Sequence, residues 1–134
     1  MKEETKTLVG YRLERAKESL EEAKILFDGG YANTFVNRLY YACFYVVSAL
    51  LLTKGFSSAK HSGIRSLFHQ NLVKTGLVDM EFGLLYDKLF DNRQKSDYAD
   101  LVRFDSGEVR HWYDEAKSFV GSLEILVKRE LNAK

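Results

Sequence analysis

The chain has 134 residues, of which 46% are hydrophobic and 29% are charged, and its formal net charge is +1. This length suits one hydrophobic core, so residues 1–134 are predicted to form a single domain. The near-neutral charge argues against a general nucleic-acid binder, which usually carries a clear basic excess, but it is compatible with a local basic patch. The sequence contains no proline, so no residue of that type interrupts its helices.

The first two segments are predicted to be helices of different kinds. Apolar residues recur at steps of three and four from Val9 to Phe27, which predicts one stripe along an amphipathic helix. Gly29 and Gly30 follow and predict its end. The segment from Tyr31 to Lys54 is apolar on nearly every side, as expected for a central helix that neighbours surround.

The rest of the chain continues the helical pattern. A third helix is predicted after a cap at Ser57 or Ser58 and ends near Gly76, and a fourth follows a cap at Asp79. A polar stretch, residues 91–98, is predicted to be a junction where the helical pattern weakens. Asp105 with Glu108 has the spacing of a capping box and predicts the start of a last helix. The sequence therefore predicts an all-α fold, an antiparallel up-and-down bundle of about four or five helices joined by short loops.

The central helix carries an unusual polar face. Arg38, Tyr41 and Tyr45 are spaced i, i+3 and i+7 and share one side of the helix, and Asn33 and Asn37 stand beside it. An arginine cannot lose its charge, so it needs acids or acceptors when it is partly buried. One interpretation is structural, with Arg38 paired to an acid of a neighbouring helix and fixing helix register. The other is functional, with this face turned toward a ligand, RNA or a second subunit.

The polar stretch after the fourth helix is the second candidate site. It places Arg93, Lys95, Asp97 and Tyr98 within two helical turns. Arg93 and Asp97, four residues apart, are also suited to a local surface ion pair. Both interpretations stay open at this point.

Several chemical constellations are missing from the sequence. It has no glycine-rich phosphate loop, no pair of cysteines and no His-Glu-x-x-His run. The histidines, His61, His69 and His111, lie on different predicted segments and are interpreted as surface or capping residues. We therefore predict neither a metal nor a cofactor.

The expected compartment follows from one cysteine and the polar interruptions of the apolar segments. Cys43 lies in an apolar run and has no second cysteine to pair with, which is typical of a reducing compartment. No apolar stretch is expected to reach the roughly 18 residues that span a membrane. The protein is predicted to be cytoplasmic and not membrane-bound.

Particular residue runs, more than the helical pattern, resemble a known family. Asn-Arg-Leu-Tyr-Tyr-Ala-Cys-Phe, residues 37–44, resembles the second helix of a small subfamily of HEPN domains. Arg93 with Asp97 and Tyr98 resembles the Arg-x-x-x-Asp-Tyr element of that subfamily. The resemblance extends from about Leu13 to Leu126 and also includes Gly30-Tyr31, Ala49-Leu50-Leu51, His61-Ser62-Gly63, Phe68, Ala116 and Phe119.

The resemblance implies a helical bundle that forms homodimers and acts with a small nucleotidyltransferase, as in toxin–antitoxin modules. It also implies association with a nucleotide or RNA. Many HEPN proteins are metal-independent ribonucleases with an Arg-x(4–6)-His motif, in which histidine assists proton transfer and arginine stabilises the phosphate. Here Tyr98 stands where that histidine is expected after Arg93, and no histidine follows Arg38 at the required spacing. Arg65 and His69 are one residue too close.

The first function predicted from these features is a HEPN-like nucleotide- or RNA-associated module that works with a nucleotidyltransferase and lacks an intact catalytic motif. The first alternative is a metal-independent, toxin-like endoribonuclease with a degenerate site, and the second is a dimeric scaffold. Whether the protein is an enzyme stays open. Arg93, Tyr98 and Arg38 are the catalytic candidates, and the predicted ligand-binding residues are Asn37, Arg38, Tyr41, Tyr45, Arg93, Lys95, Asp97 and Tyr98.

Overall fold

The computed structural model describes residues 1–97, 100 and 102–133, and Tyr98, Ala99, Leu101 and Lys134 lie outside the described residues. The described part is helical and contains no strand, so the predicted all-α fold is confirmed. Five helices have eight residues or more, and one has four. In chain order they are α1 (Glu3–Asp28), α2 (Ala32–Thr53), α3 (His61–Phe68), α4 (Met80–Ser96), α5 (Ser106–Val109) and α6 (Trp112–Asn132).

Helix α2 lies at the centre of the bundle, as its apolar sequence predicts. It packs against α1, α3, α4, α5 and α6, and every residue from Val46 to Leu51 is buried. The expectation that no apolar stretch is long enough for a membrane is wrong on length, because Ala32–Thr53 passes that test by size and composition. However, 67% of the apolar window is buried inside the bundle, as is typical of a core helix.

Helix α1 packs along α2 with the apolar stripe that its sequence predicts. The buried residues Val9, Leu13, Ala16, Leu20 and Ala23 recur at steps of three and four and face the core. Gly30 has a φ of +86°, a left-handed conformation that glycine adopts without a Cβ clash. This short turn reverses the chain, so α1 and α2 are antiparallel neighbours.

Two predicted boundaries differ from the structure. The polar stretch that was expected to be a junction is helical as far as Ser96, because α4 continues to that residue with Arg93 in its last turns. Its backbone hydrogen bonds continue even though few of its side chains face the core. The last predicted helix is interrupted at Arg110 and His111, so the short α5 precedes α6. The predicted cap is present, since Asp105 Oδ1 accepts a hydrogen bond from the Gly107 amide at 2.7 Å.

A π-helical turn follows α3, and the sequence pattern does not predict it. It spans His69–Val73, and the Lys74 amide donates to the His69 carbonyl at 2.8 Å. His69 Nε2 lies 2.8 Å from Asp87 Oδ1 of α4, so the wider turn is joined to the next long helix.

Asn33 of α2 ties the segment before α5 to the bundle. Its Nδ2 donates to the Val102 carbonyl at 2.8 Å, and its Oδ1 accepts from the Phe104 amide at 2.9 Å. We expect Asn33→Ala to lower the free energy of unfolding by about 1–2 kcal/mol, because both backbone groups lose their partner. Urea denaturation measures this change. The control Thr34→Ala, at an exposed neighbouring position, is expected to stay within about 0.5 kcal/mol of the unmodified protein. Equal effects of the two changes would contradict the assignment.

Candidate functional site

Aromatic side chains form a connected row along one side of α2. Tyr40, Tyr41, Phe44 and Tyr45 are close in sequence, and their spacing on a helix brings successive rings together. The Tyr40 and Tyr41 ring centroids are 5.2 Å apart, and those of Tyr41 and Tyr45 are 6.0 Å apart. Tyr40 is buried, whereas the other three are only partly buried. The row therefore begins in the core and ends at the surface.

Four arginines from four different helices lie against this row and the adjoining Phe90 ring. Tyr40 links the row to Phe90, since their centroids are 5.9 Å apart. Each guanidinium carbon is within cation–π distance of a ring. The pairs are Arg15 on Tyr45 at 5.3 Å, Arg38 on Tyr41 at 4.7 Å, Arg93 on Tyr40 at 5.1 Å and Arg65 on Phe90 at 4.0 Å. We call these arginines and rings the arginine–aromatic surface.

Arg38 has the partners that the structural interpretation requires, but they are weak. Its Nε and Nη2 donate to Asn37 Oδ1 at 3.2 and 2.9 Å, and its Nη1 lies 3.5 Å from Glu22 Oε1 of α1. The Arg38 side chain is 23% exposed and that of Glu22 is 45% exposed. Ion pairs as exposed to water as this one contribute little to stability. Arg38 can therefore leave Glu22 and contact a ligand at little cost in stability.

We expect Arg38→Ala to lower the free energy of unfolding by no more than about 1 kcal/mol. Its ion pair is long and partly exposed, and its other polar partner is the neighbouring residue on the same helix. Thermal and urea unfolding of the variant check this expectation. A loss above about 2 kcal/mol would show instead that Arg38 acts mainly in stability.

One hydrogen bond joins the second candidate site, at the end of α4, to the polar face of α2. Asn37 Nδ2 of α2 donates to Asp97 Oδ1, the residue after α4, at 3.3 Å. Lys95 is exposed in the last turn of α4, and within the described residues no hydrogen bond or ion pair links it to the arginine–aromatic surface. Tyr98 lies outside the described residues. The local pair of Arg93 with Asp97 is not seen, because the Asp97 carboxylate accepts from Asn37 instead.

Arg93 is partly buried at the centre of this region. Its guanidinium lies over the Tyr40 ring, and its Nε is buried with no hydrogen-bond acceptor among the described residues. By contrast, Arg15 and Arg65 each have an acid within 3.5 Å. Arg93 is therefore suited to accept an anionic group such as a phosphate.

His61 belongs to the same region, although its place in the sequence predicts a surface or capping residue. It is the first residue of α3, and its Nδ1 lies 2.7 Å from the Tyr40 hydroxyl. Its ring stacks on Phe44 with a centroid distance of 4.4 Å. A motif of fixed spacing lies within one stretch of the chain, so it does not reveal a histidine contributed by another helix. The sequence signal was present in the His61-Ser62-Gly63 resemblance.

The side chains of Tyr40 and His61 are both uncharged at neutral pH. Burial raises the pKa of Tyr40 to about 12, so its hydroxyl stays protonated at neutral pH. Burial and then the positive charge of Arg93 lower the pKa of His61 below its ordinary value of about 6.5. The imidazole is therefore neutral at pH 7, beside a permanently charged guanidinium.

Other parts of the molecule offer fewer chemical groups. Within the described residues, no three His, Cys, Asp or Glu side chains converge in a way that could hold a metal ion. Two open grooves of about 590 and 350 Å³ flank α4 near Leu84, and neither includes a predicted site residue. Cys43 is fully buried, and burial raises the pKa of its thiol, so it is unreactive.

Comparisons with known proteins agree with the resemblance in the sequence. The model of the HEPN domain matches residues 9–126. A "UPF0332 protein" of Thermotoga maritima is 42% identical, and the match covers 93% of this chain and 95% of that one. Two proteins of Methanocaldococcus jannaschii are also similar. "Putative toxin MJ0142" is 30% identical over 91% of this chain and 88% of its own, and "Putative toxin MJ0605" is 33% identical over 87% and 81%.

Proposed function

Because this chain belongs to the HEPN family, we propose that it is a toxin-like module that binds single-stranded RNA at the arginine–aromatic surface. Its similarity to two relatives named as toxins supports the toxin-like part of the proposal. The UPF0332 protein of Thermotoga maritima is also similar to this chain, and its name assigns no activity.

One observation carries the RNA part of the proposal, namely four guanidinium groups on one connected set of rings. Arginines supply charge for phosphates, and partly exposed aromatic rings offer faces on which unpaired bases stack. Arg38 and Arg93 lie on rings that are in contact with each other, Tyr41 and Tyr40. Three of these arginines pair with acids, and Arg93 has no acid partner among the described residues, so this local cluster is compatible with a net charge of only +1.

Fluorescence anisotropy with a labelled single-stranded RNA tests this proposal. We expect binding that weakens as salt rises, with a logarithmic slope of about −0.7 for each phosphate contacted. Replacing Tyr41 by leucine removes a partly buried ring and is expected to weaken binding while leaving that slope nearly unchanged. The proposal is wrong if the wild-type protein shows no binding at micromolar concentrations.

A small nucleotidyltransferase is the protein partner we propose, in an arrangement like a toxin–antitoxin module. The family membership and the toxin-named relatives support this partner. Co-expression with a neighbouring nucleotidyltransferase, followed by affinity purification, tests it. Recovery of this chain alone at high expression of both proteins would argue against the pair.

We also propose that the chain is a cytoplasmic homodimer. The buried free thiol of Cys43 supports a reducing compartment. Family membership supports the dimer, which light scattering coupled to size exclusion tests directly. If the protein is a monomer and binds neither RNA nor a nucleotidyltransferase, the module proposal fails. If it is a dimer that binds neither RNA nor a nucleotidyltransferase, the scaffold alternative replaces the module proposal.

The position of His61 supports the ribonuclease alternative. A histidine and an arginine both contact Tyr40, although the chain lacks the Arg-x(4–6)-His spacing. Chelator-resistant cleavage of RNA by highly purified protein would favour this alternative over binding alone.

A further inference from the structure

Exposed apolar side chains lie at the beginning of α4. Met80 and Leu84 are four positions apart, so they share one face of the helix, and they are 74% and 65% exposed. Leu77, just before the helix, is 41% exposed. Polar residues ordinarily occupy the solvent-facing side of an amphipathic helix, so a cluster of apolar side chains in that position marks a surface that contacts another molecule.

Leu84 separates two open grooves. The first has a volume of about 590 Å³, lies between α4 and α6, and includes Phe82 and Leu85 in its lining. The second has a volume of about 350 Å³, lies between α4 and the π-helical turn, and includes Val73 and Met80. These volumes are in the range of clefts that take up ligands or the side chains of a partner. Together with Leu84, the two grooves form an apolar surface with a ridge in its middle.

The rim of the first groove is acidic. Glu81 of α4 and Asp114 of α6 are exposed in its lining, and no cation of the described residues forms an ion pair with either. Lys88 also lines this groove, but its Nζ lies 3.0 Å from Glu115 Oε2 and 4.8 Å from the Trp112 ring centroid. The charge of Lys88 is therefore balanced within the protein, and the charge left at the rim is negative.

We propose that this region is a docking surface for a basic amphipathic helix of a partner protein. The partner helix places its apolar side chains on Met80 and Leu84 and in the two grooves. Its Lys or Arg residues, on either side of that apolar stripe, meet Glu81 and Asp114. We call these four residues and the two grooves the α4 docking surface.

Two other occupants fit this surface less well. An extended peptide that adds to a sheet has nothing to pair with, since the described residues contain no strand. A second copy, related by a two-fold axis through Leu84, would bring the same acidic rim to the interface from both sides. Like charges would then face each other at Glu81 and Asp114, whereas a basic helix offsets them.

The α4 docking surface is separate from the arginine–aromatic surface. Leu84 and Arg93 are nine positions apart, which is about 14 Å along a helix, and no residue that lines the grooves belongs to the arginine–aromatic surface. The arginines repel a basic helix, whereas Glu81 and Asp114 attract it, so the two surfaces select ligands of opposite charge. Docking at α4 is therefore independent of RNA binding, and of whether the partner is the nucleotidyltransferase proposed above.

Met80 is a direct reporter of docking, because the chain has only two methionines, Met1 and Met80. The probe is a helical peptide of about 18 residues, or five turns, with a stripe of leucines flanked by lysines. A matched peptide carries glutamates in place of the lysines. With ¹³C-methyl methionine in the protein, we expect the lysine peptide to shift the Met80 methyl signal until it saturates, and to leave the Met1 signal unchanged. The glutamate peptide is expected to leave both signals unchanged.

The apolar contact is tested by Leu84→Gln, which removes the ridge and keeps a residue with good helix propensity. We expect the affinity for the lysine peptide to fall by about tenfold or more. Ile25→Gln is the matched control, since Ile25 is 71% exposed on α1 and lines neither groove. Its effect on affinity is expected to stay below about twofold. Circular dichroism checks that both variants keep their helices.

The charge contact is tested by the double variant Glu81→Gln/Asp114→Asn. We expect it to weaken binding of the lysine peptide by about threefold or more and to reduce the dependence of that binding on salt. The control Glu14→Gln/Glu21→Gln removes two exposed acids from α1. If the two double variants weaken binding equally, the attraction is a general effect of net charge and the assignment to the α4 docking surface is wrong.

The remaining outcomes also decide the proposal. It is wrong if the lysine peptide at millimolar concentration does not shift the Met80 signal, or if Leu84→Gln binds this peptide as the wild-type protein does. It is also wrong if light scattering shows that Leu84→Gln turns an oligomer into a smaller species, because a second copy then covers this surface. Leu84→Gln is expected to bind single-stranded RNA with unchanged affinity, so failure of peptide docking and failure of RNA binding are separate results.

Discussion

Arg93→Ala is expected to weaken the binding of single-stranded RNA by about tenfold or more at low salt. The guanidinium is placed over the Tyr40 ring, and among the described residues no acid pairs with it as acids pair with Arg15 and Arg65, so its positive charge is available to a phosphate. Losing one phosphate contact is also expected to reduce the salt slope by about 0.7. Anisotropy titrations at several salt concentrations measure both changes.

Two controls distinguish the role of Arg93 from a general loss of charge. Arg110→Ala removes the same charge at an exposed position outside the arginine–aromatic surface, so it is expected to change affinity by less than about twofold. Arg93→Lys keeps the charge but loses the planar fork, and we expect an intermediate affinity. If Arg93→Ala and Arg110→Ala have equal effects, the contact is a long-range charge effect and the site assignment is wrong.

The fold could be predicted from the sequence because its signals are local. The apolar stripe of α1 and the continuous apolar run of α2 each lie within one helix, and glycines with positive φ follow both, at Gly30 and Gly55. Helical periodicity is determined by residues three and four apart, which a single sequence displays directly.

The elements that were mispredicted lie where local preference and tertiary packing disagree. The polar end of α4 has few apolar positions, yet it stays helical, and one side of it packs Ser96 against the bundle. The π-helical turn after α3 joins His69 to Asp87, a contact across 18 positions that no periodicity encodes. Tertiary contacts of this kind override the local pattern.

Part of the candidate site could also be predicted from the sequence, because some of its residues lie on one helix. Arg38, Tyr41 and Tyr45 lie on one helix, so their shared face follows from spacing. His61 contacts Tyr40 across 21 positions, and Arg93 approaches it from a third helix. Proximity between helices depends on packing, so helical spacing does not place His61 beside the arginines, and only the His61-Ser62-Gly63 resemblance pointed to it. Whether these residues bind RNA remains a prediction.

Two Gly→Ala substitutions, at Gly63 near the start of α3 and at Gly10 in α1, are expected to change the free energy of unfolding in opposite directions. A Cβ on Gly63 would lie 2.8 Å from Ser58 Cβ and even closer to its Oγ. The Ser58 hydroxyl accepts from the Lys60 amide at 3.2 Å, so moving it disturbs the turn that precedes His61. We expect Gly63→Ala to lower the free energy of unfolding by up to about 3 kcal/mol, measured by urea denaturation.

Gly10→Ala is the matched control, since Gly10 also lies inside a helix but nothing stands within 4 Å of its added Cβ. It is expected to stabilise the protein by about 0.5–1 kcal/mol, because alanine has the better helix propensity. Two substitutions of the same type should therefore change stability in opposite directions. A stabilised Gly63→Ala would mean that the Ser58 turn is free to move. The position of His61 would then depend on its contacts with Tyr40 and Phe44 alone. If Gly63→Ala is destabilising, the rigid turn and these two rings together hold the imidazole in place.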